Sequence, residues 1–511
     1  MSPVLPAVQQ EQRKAQPPEA LPDADNEITI SDGALRWCTG ILLAYFAARL
    51  LFLACAVAPF APPDEVTHAG ICRIFSQVLG LPDNSPQSYQ FGAVTNNPWL
   101  YYWIMGKLRY LNLFGIPDLT YLRLINIPLA FGTLYFTRRT LLLLTRNRLA
   151  EILLLAALTN TAMFTLLSAS VSYDNLTNLL AAMSVYYMLA FFRRGSPDLL
   201  AWAILSQMAG TLTKMTILPL ALVLDLLLLA YALRHLRALP GSTREYFRAP
   251  ARRLLWPVLP LLVGLALNLQ LYGGNCLHYG TLNPSMHEIL PQQIAMQYRL
   301  EARGLIFNQY KEGKLSYMDA LGLTGEISHP GDKADTFFLL MNWENLKRNP
   351  ALWMGFPQYA PRWLESMLGT VFGIKTHLPM IKSGAELVPY YLLLALALLG
   401  TLLRWRPREP GGGLAACLAV SAGYYAGYLM YMVNYDNYLN YGAIGITLQG
   451  RYIFPVLCPI YVLSCHYLIR LFPARSARLA LVAAAAVLFI AGDFPWFLAH
   501  AGPGWYAWFP R

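Results

Sequence analysis

Apolar residues along this chain fall into long blocks divided by short polar stretches. Residues 33–60, 152–167, 254–272, 387–403, 414–433 and 479–499 each approach the length that crosses about 30 Å of hydrocarbon. A signal peptide accounts for one such block, not for a series. The first block follows a polar lead rich in Pro, Glu and Asp, with no short basic start or clear small-residue cleavage site. It therefore reads as a retained helix.

Residues 1–32 read as a disordered cytoplasmic tail, and residues 33–511 as a polytopic transmembrane domain. The first span exits near Pro59 into an outer loop, residues 61–97. Residues 98–114 are apolar and aromatic but hold Lys107 and Arg109, and they read as a helix lying in the interface or dipping partway in. Were they to cross, the basic residues at 138–148 would face outwards. Residues 121–144 then return the chain, and 152–167 lead out to a turn at 168–175. Residues 176–192 come back, and 199–212 with 217–231 form a hairpin around Lys214. The largest outer loop, residues 273–386, holds most of the remaining charge and has room for short amphipathic helices such as 361–372. The reading is an all-α integral membrane protein of about eleven spans, with its N-terminus cytoplasmic and its C-terminus outside. No internal repeat is visible, which disfavours the inverted-repeat transporters.

Composition agrees with that pattern. Of 511 residues, 56 % are hydrophobic and only 13 % charged, against roughly a quarter charged in ordinary soluble domains. The net charge of +11 is a topology signal, because Arg138, Arg139, Arg146, Arg148, Arg193, Arg194, Arg404, Arg406, Arg408, Arg470, Arg475 and Arg478 sit in short loops on the side assigned to the cytoplasm. A nucleic-acid partner is thereby disfavoured. Among the seven cysteines there is no CxxC. Cys38, Cys55, Cys417, Cys458 and Cys465 read as small packed hydrophobes, while Cys72 and Cys276 fall in outer loops and are candidates for a disulfide.

Chemistry-bearing residues gather on the outer side. Asp64 and Glu65 follow Pro62-Pro63 just past the first span, and His68 falls on the same helical face. Partial burial would raise a carboxylate's pKa towards that of a general base for an acceptor hydroxyl; the plainer reading is a helix start with Asp64 as cap. Asp174 in Ser172-Tyr173-Asp174-Asn175 either caps the next helix or orients a substrate or metal. Lys214 needs an anionic partner or snorkels to headgroups. In Leu448-Gln449-Gly450-Arg451-Tyr452 the guanidinium suits a phosphate, or anchors at the interface. A divalent metal held by Asp64, Glu65, His68 and Asp174 stays open. No Walker loop or HExxH site is present.

Ala61-Pro-Pro-Asp-Glu-Val-Thr-His68 resembles the PxDExxH signature of a family of bacterial multi-pass membrane proteins grouped, largely by analogy, with the GT-C superfamily of lipid-dependent glycosyltransferases. The likeness continues through Asn97-Pro-Trp-Leu-Tyr-Tyr102, Ser172-Tyr-Asp174, Lys214, Leu368-Gly-Thr-Val-Phe-Gly373, Leu378-Pro379 and Gln449-Gly-Arg-Tyr-Ile-Phe-Pro455. It departs at Asn97, where a histidine is expected. The resemblance implies a GT-C-like fold in a bacterial cytoplasmic membrane, with the active site on the periplasmic or extracellular side. It implies a polyprenyl-phosphate sugar donor and a cell-envelope glycan or lipid acceptor. Asp64 and Glu65 would be catalytic, Asp64 as the base of an inverting transfer; His68, Tyr173, Asp174, Lys214, Gln449, Arg451 and Tyr452 would bind substrate. The competing reading is a transporter, flippase or binding subunit for a polyprenyl-linked sugar. That reading wants ionisable residues through the spans, of which Asp225 is the chief example recognised.

Overall fold

Ser31 starts the first helix, Asp32–Ala56, by accepting a hydrogen bond from the Ala34 amide at 3.1 Å. The computed structural model describes residues 30–234, 251–327, 330–409, 411–445 and 448–508. The expected tail at 1–29, most of the basic stretch 234–253 and the last three residues lie outside the described residues. Ser31 and Asp32, which the sequence places in the tail, instead form the cap and first residue of the helix.

Among the described residues the chain is helical, with isolated β-bridges and no strand. Eight helices are long and apolar enough to cross a membrane, or nine if one bent pair counts as a span. The expected eleven also included Asp118–Leu144 and Pro197–Thr213, which that criterion leaves out. The bent pair, Arg148–Thr159 and Ala162–Ser168, turns by 67°. Its break has a local cause. Thr159, Asn160 and Thr161 bond back to the carbonyls of Leu155, Ala156 and Ala157 at 2.7, 2.7 and 3.0 Å, so side chains compete with the helical ladder.

That break also receives a buried charge. Arg49 donates to the Thr159 carbonyl at 2.8 Å and pairs with Asp493, where the last long helix, Arg475–Gly492, ends. Thr165 adds a bond to Asp493 at 2.9 Å. The first and last spans are thus tied together by an ion pair inside the bundle, tolerable there only because each partner is neutralised.

The basic loops meet at one end. Arg193 bonds to the Leu143 carbonyl at 3.0 Å, Arg470 pairs with Glu409 at 2.7 Å, and Arg404 reaches the Leu471 carbonyl at 3.4 Å. At the other end, residues 98–114 supply only the helix Leu100–Leu108 and a short 3-10 turn. Nine residues rise about 14 Å, too little to cross. Gly106 lets this helix lie against Glu65–Gln77, since an added Cβ would meet Cys72, Phe75 and Ser76 backbone at 2.8–3.0 Å. Cys72 and Cys276 are free thiols, the first buried and the second exposed, so the candidate disulfide is not formed.

The large loop at 273–386 includes the helices Arg299–Lys311, Tyr317–Gly325 and Pro330–Arg348, which share a small core around Ile306, Phe307, Leu339 and Leu340. The amphipathic helix expected at 361–372 begins earlier, spanning Phe356–Val371. Helices Val388–Arg404 and Gly412–Tyr428 both pack on Leu457–Leu471. Between them lies an almost wholly apolar cavity of about 440 Å³, with Leu394, Ala397, Gly423, Ala426, Val371 and Ile453 on its wall.

Candidate active site

The two prolines deliver Asp64 to the N-cap position of Glu65–Gln77, but its side chain caps nothing. It adopts φ 57°, the only non-glycine residue with positive φ among those described. A left-handed residue of this kind costs about 1–3 kcal/mol and persists only where its surroundings enforce it. Freed from the cap, the carboxylate accepts from Arg451 Nη2 at 2.9 Å, and its side chain stays 49 % exposed.

Glu65 is turned the other way. Its Oε1 and Oε2 accept from Arg123 Nε and Nη2 at 2.8 and 2.5 Å, and Oε1 also accepts from the Val171 amide at 2.9 Å. Arg123 continues to the carbonyls of Ala54 and Val57 at 3.1 and 2.6 Å. This clamp joins the end of the first span, the start of the Asp64 helix and the segment leading into Ser172. Glu65 has no solvent exposure in its side chain, and both of its oxygens accept from Arg123.

Ser172 caps the helix Tyr173–Arg194, accepting from the Asp174 amide at 3.2 Å. Asp174 is left to face inwards, 2.5 Å from Lys214 Nζ and 3.5 Å from Arg451 Nη1. Lys214 sits in the expected hairpin, buried beside the Tyr173 and Tyr452 rings at 4.5 and 5.2 Å. Its anionic partner is Asp174. The Tyr425 hydroxyl lies 3.0 Å from the Thr216 carbonyl and 2.9 Å from that of Tyr452, joining the hairpin to the Gln449–Tyr452 segment. Gly450 allows that segment to pass Phe356–Val371, because a Cβ there would come within 2.6–2.7 Å of Val371 and Thr370 backbone.

The cluster Asp64, His68, Tyr173, Asp174, Lys214, Arg451 and Tyr452 therefore closes from four distant segments. Several buried polar atoms in it lack hydrogen-bond partners, Arg451 Nε and Nη1 and His68 Nε2, as does Gln449 Oε1 two positions before Arg451. Such atoms cost about 1–3 kcal/mol each when unsatisfied, and a guanidinium with two of them is shaped for an oxyanion.

Burial would raise the Asp64 carboxyl, but the charge and hydrogen bond of Arg451 outweigh it and hold it below the usual range. The expected upward shift is thus reversed. Burial pushes Glu65 up despite Arg123. Burial lowers His68 to about 4, so its imidazole is neutral near pH 7, with Nδ1 2.8 Å from the Tyr102 hydroxyl. Among the described residues no three His, Cys, Asp or Glu side chains are disposed to hold a metal ion. Of the four residues considered for a metal, Glu65 is paired with Arg123, Asp64 with Arg451 and Asp174 with Lys214.

Sequence reasoning passed over Arg123, Tyr425 and His377, and quoted Tyr102 only as part of a motif. Arg123 carried a signal: a charge inside an otherwise apolar span, as did Arg49 and Asp493. His377 is exposed at the tip of a hairpin closed by Ile374 and Met380, and its charge acts on Asp64.

No protein-family model and no curated protein matches this chain. Among solved structures it is similar to the archaeal oligosaccharyltransferase AglB from Archaeoglobus fulgidus in complex with an inhibitory peptide and a dolichol-phosphate, with a TM-score of 0.46 and 11 % identity. That match covers 94 % of this chain and 57 % of AglB, so the chain spans little more than half the length of that protein. It is also similar to ArnT from Cupriavidus metallidurans bound to undecaprenyl phosphate, with a TM-score of 0.36 and 14 % identity over 85 % of this chain and 78 % of that one.

Proposed function

We propose that this chain is a membrane glycosyltransferase that moves a sugar from a polyprenyl-phosphate donor to a hydroxyl of an envelope glycan or lipid, on the outer face of a bacterial cytoplasmic membrane. One observation carries the reading. A half-exposed, ionised carboxylate lies 2.9 Å from a buried guanidinium that keeps two donors without hydrogen bonds. A base and an oxyanion ligand side by side match a displacement in which a hydroxyl loses its proton as a phosphate departs.

In this reading Asp64 takes the acceptor proton, and the acceptor oxygen attacks the anomeric carbon and inverts it. The bond from that carbon to phosphate breaks with its electrons on the phosphate oxygen. Arg451 meets that oxygen, and Lys214 adds positive potential while holding Asp174. Neutral His68 and Gln449 offer hydrogen bonds to sugar hydroxyls, with Tyr173 and Tyr452 walling the space. Glu65 and Arg123 hold the loop that carries Asp64. The apolar cavity begins at Val371 and Ile453, beside the Gln449–Tyr452 segment, and suits the donor's hydrocarbon chain.

A transporter or flippase would use charge along the spans. Arg49 and Asp493 neutralise each other, and Asp225 lies on an exposed helix surface, so neither lines a polar path. The test is mass spectrometry of purified protein with polyprenyl-phosphate sugars and envelope acceptors, reading release of free polyprenyl phosphate. Tight lipid binding without release across a broad panel would favour the flippase or binding-subunit reading.

A further inference from the structure

We infer that Arg451 is shared between Asp64 and the donor's phosphate, so that donor binding releases Asp64 to act and the donor must bind before the acceptor is activated. The inference rests on the proposed glycosyltransferase reading and adds an order of events to it.

Arg451 has three nitrogens and, at this site, one hydrogen bond. Nη2 reaches Asp64 Oδ2 at 2.9 Å, Nη1 is 3.5 Å from Asp174 Oδ2 without a hydrogen bond, and Nε has no partner. Asp174 does not depend on Arg451, because Lys214 already lies 2.5 Å from its other oxygen. A phosphate taking Nε and Nη1 would gain a two-pronged contact at the edge of the guanidinium. It would also place negative charge beside Asp64, whose sole hydrogen-bonded cation is Arg451.

The groups facing Asp64 define what this does. Arg451 holds its acidity below the ordinary carboxylate value against burial, with smaller contributions from His68 and His377. His68 is neutral near pH 7, which leaves Arg451 as the main influence. Once a phosphate draws on the same guanidinium, that stabilisation of the carboxylate weakens and its affinity for a proton rises. Before the donor arrives, Asp64 is a poor base; afterwards it is a competent one. The atoms balance. The acceptor proton passes to Asp64 while the phosphate leaves with the electron pair of the broken bond, and the exposed side of Asp64 returns the proton to water.

The experiment uses full-length protein and undecaprenyl phosphate without a sugar. Reaction of Asp64 with a water-soluble carbodiimide, which requires the protonated carboxyl, is followed by peptide mass spectrometry across a pH series, with Asp64→Asn locating the signal. Native mass spectrometry reports lipid occupancy in parallel. The expected result is a midpoint that rises by about one pH unit or more when the lipid phosphate is bound, a tenfold change in the protonated fraction. Reading a midpoint rather than an extent removes any effect of slower access. A midpoint that stays or falls with the lipid bound overturns the shared-arginine inference and leaves the functional reading standing. Failure of the lipid phosphate to bind overturns the functional reading, and the inference with it.

Discussion

Arg451 Nη2 lies 2.9 Å from Asp64 Oδ2, although 387 positions separate the two residues in the chain. The loop after the first long helix and the start of a late helix are brought together at that contact. Asp174 lies 3.5 Å from the same guanidinium and 2.5 Å from Lys214.

The Glu65–Arg123 clamp is buried, with side chains at most 3 % exposed. Removing one member strands the other's charge, which typically costs 3–5 kcal/mol. Glu65→Ala should therefore lower stability by about that much and the thermal midpoint with it, whereas Glu65→Gln should lose less, because it keeps an acceptor for Arg123. Thermal unfolding in detergent checks this. Equal stability of wild type and Glu65→Ala would show that the clamp does not hold the loop.

His68 has a folded pKa of about 4, below the roughly 6.5 of an unperturbed imidazole. Between these values the unfolded chain binds the proton and the native one does not, so stability falls as pH drops from about 6.5 towards 4. Asp64 is lowered too, and its contribution is lost only at more acid pH, as pH falls through its folded value. His68→Gln should flatten the decline between about pH 6.5 and 4. An unchanged slope in a pH series of unfolding midpoints would count against a neutral buried His68.

Gly450 passes Val371 and Thr370 so closely that a methyl group has no room. Gly450→Ala should shift the segment carrying Arg451, costing about 1–3 kcal/mol of stability and weakening lipid-phosphate binding. Both are read on one preparation by unfolding and native mass spectrometry, and wild-type behaviour in both would refute the tight passage.

Gly423 lines the apolar cavity, and a Cβ added there meets nothing within 4 Å. Gly423→Phe should fill the cavity without disturbing the fold. KM for a long-chain donor should rise by about tenfold, equivalent to about 1.4 kcal/mol of lost binding, while a short-chain donor is unaffected. Equal effects on both donors would place the hydrocarbon elsewhere.

Much of this was legible in the sequence, for identifiable reasons. Blocks of apolar residues near span length locate the long helices, since lipid obliges the backbone to satisfy itself. Asp64, Asp174, Lys214 and Arg451 stood out because each is a polar residue that such a setting makes costly. Their mutual pairing was not legible, because contact across hundreds of positions depends on packing that no local pattern encodes. The Glu65 pairing was hidden for the same reason: its neighbour in sequence is Asp64, but its partner in space is Arg123, two helices further on. Arg49 and Asp493 were passed over as single charges within apolar blocks, where a pair tying first and last spans has no signature. The direction of the Asp64 shift depended on whether burial or Arg451 prevails, and that required the 2.9 Å contact.

The central claim is that Asp64 is the base of a sugar transfer from a polyprenyl-phosphate donor. Asn tolerates the left-handed backbone at this position, so Asp64→Asn should fold and bind the donor at least as tightly as wild type does. The decisive measurement is release of free polyprenyl phosphate, by mass spectrometry, from wild type and Asp64→Asn given the same donors and acceptors. The account predicts release by wild type and a rate roughly 10²–10⁴-fold lower in the variant; undiminished release by Asp64→Asn would contradict it.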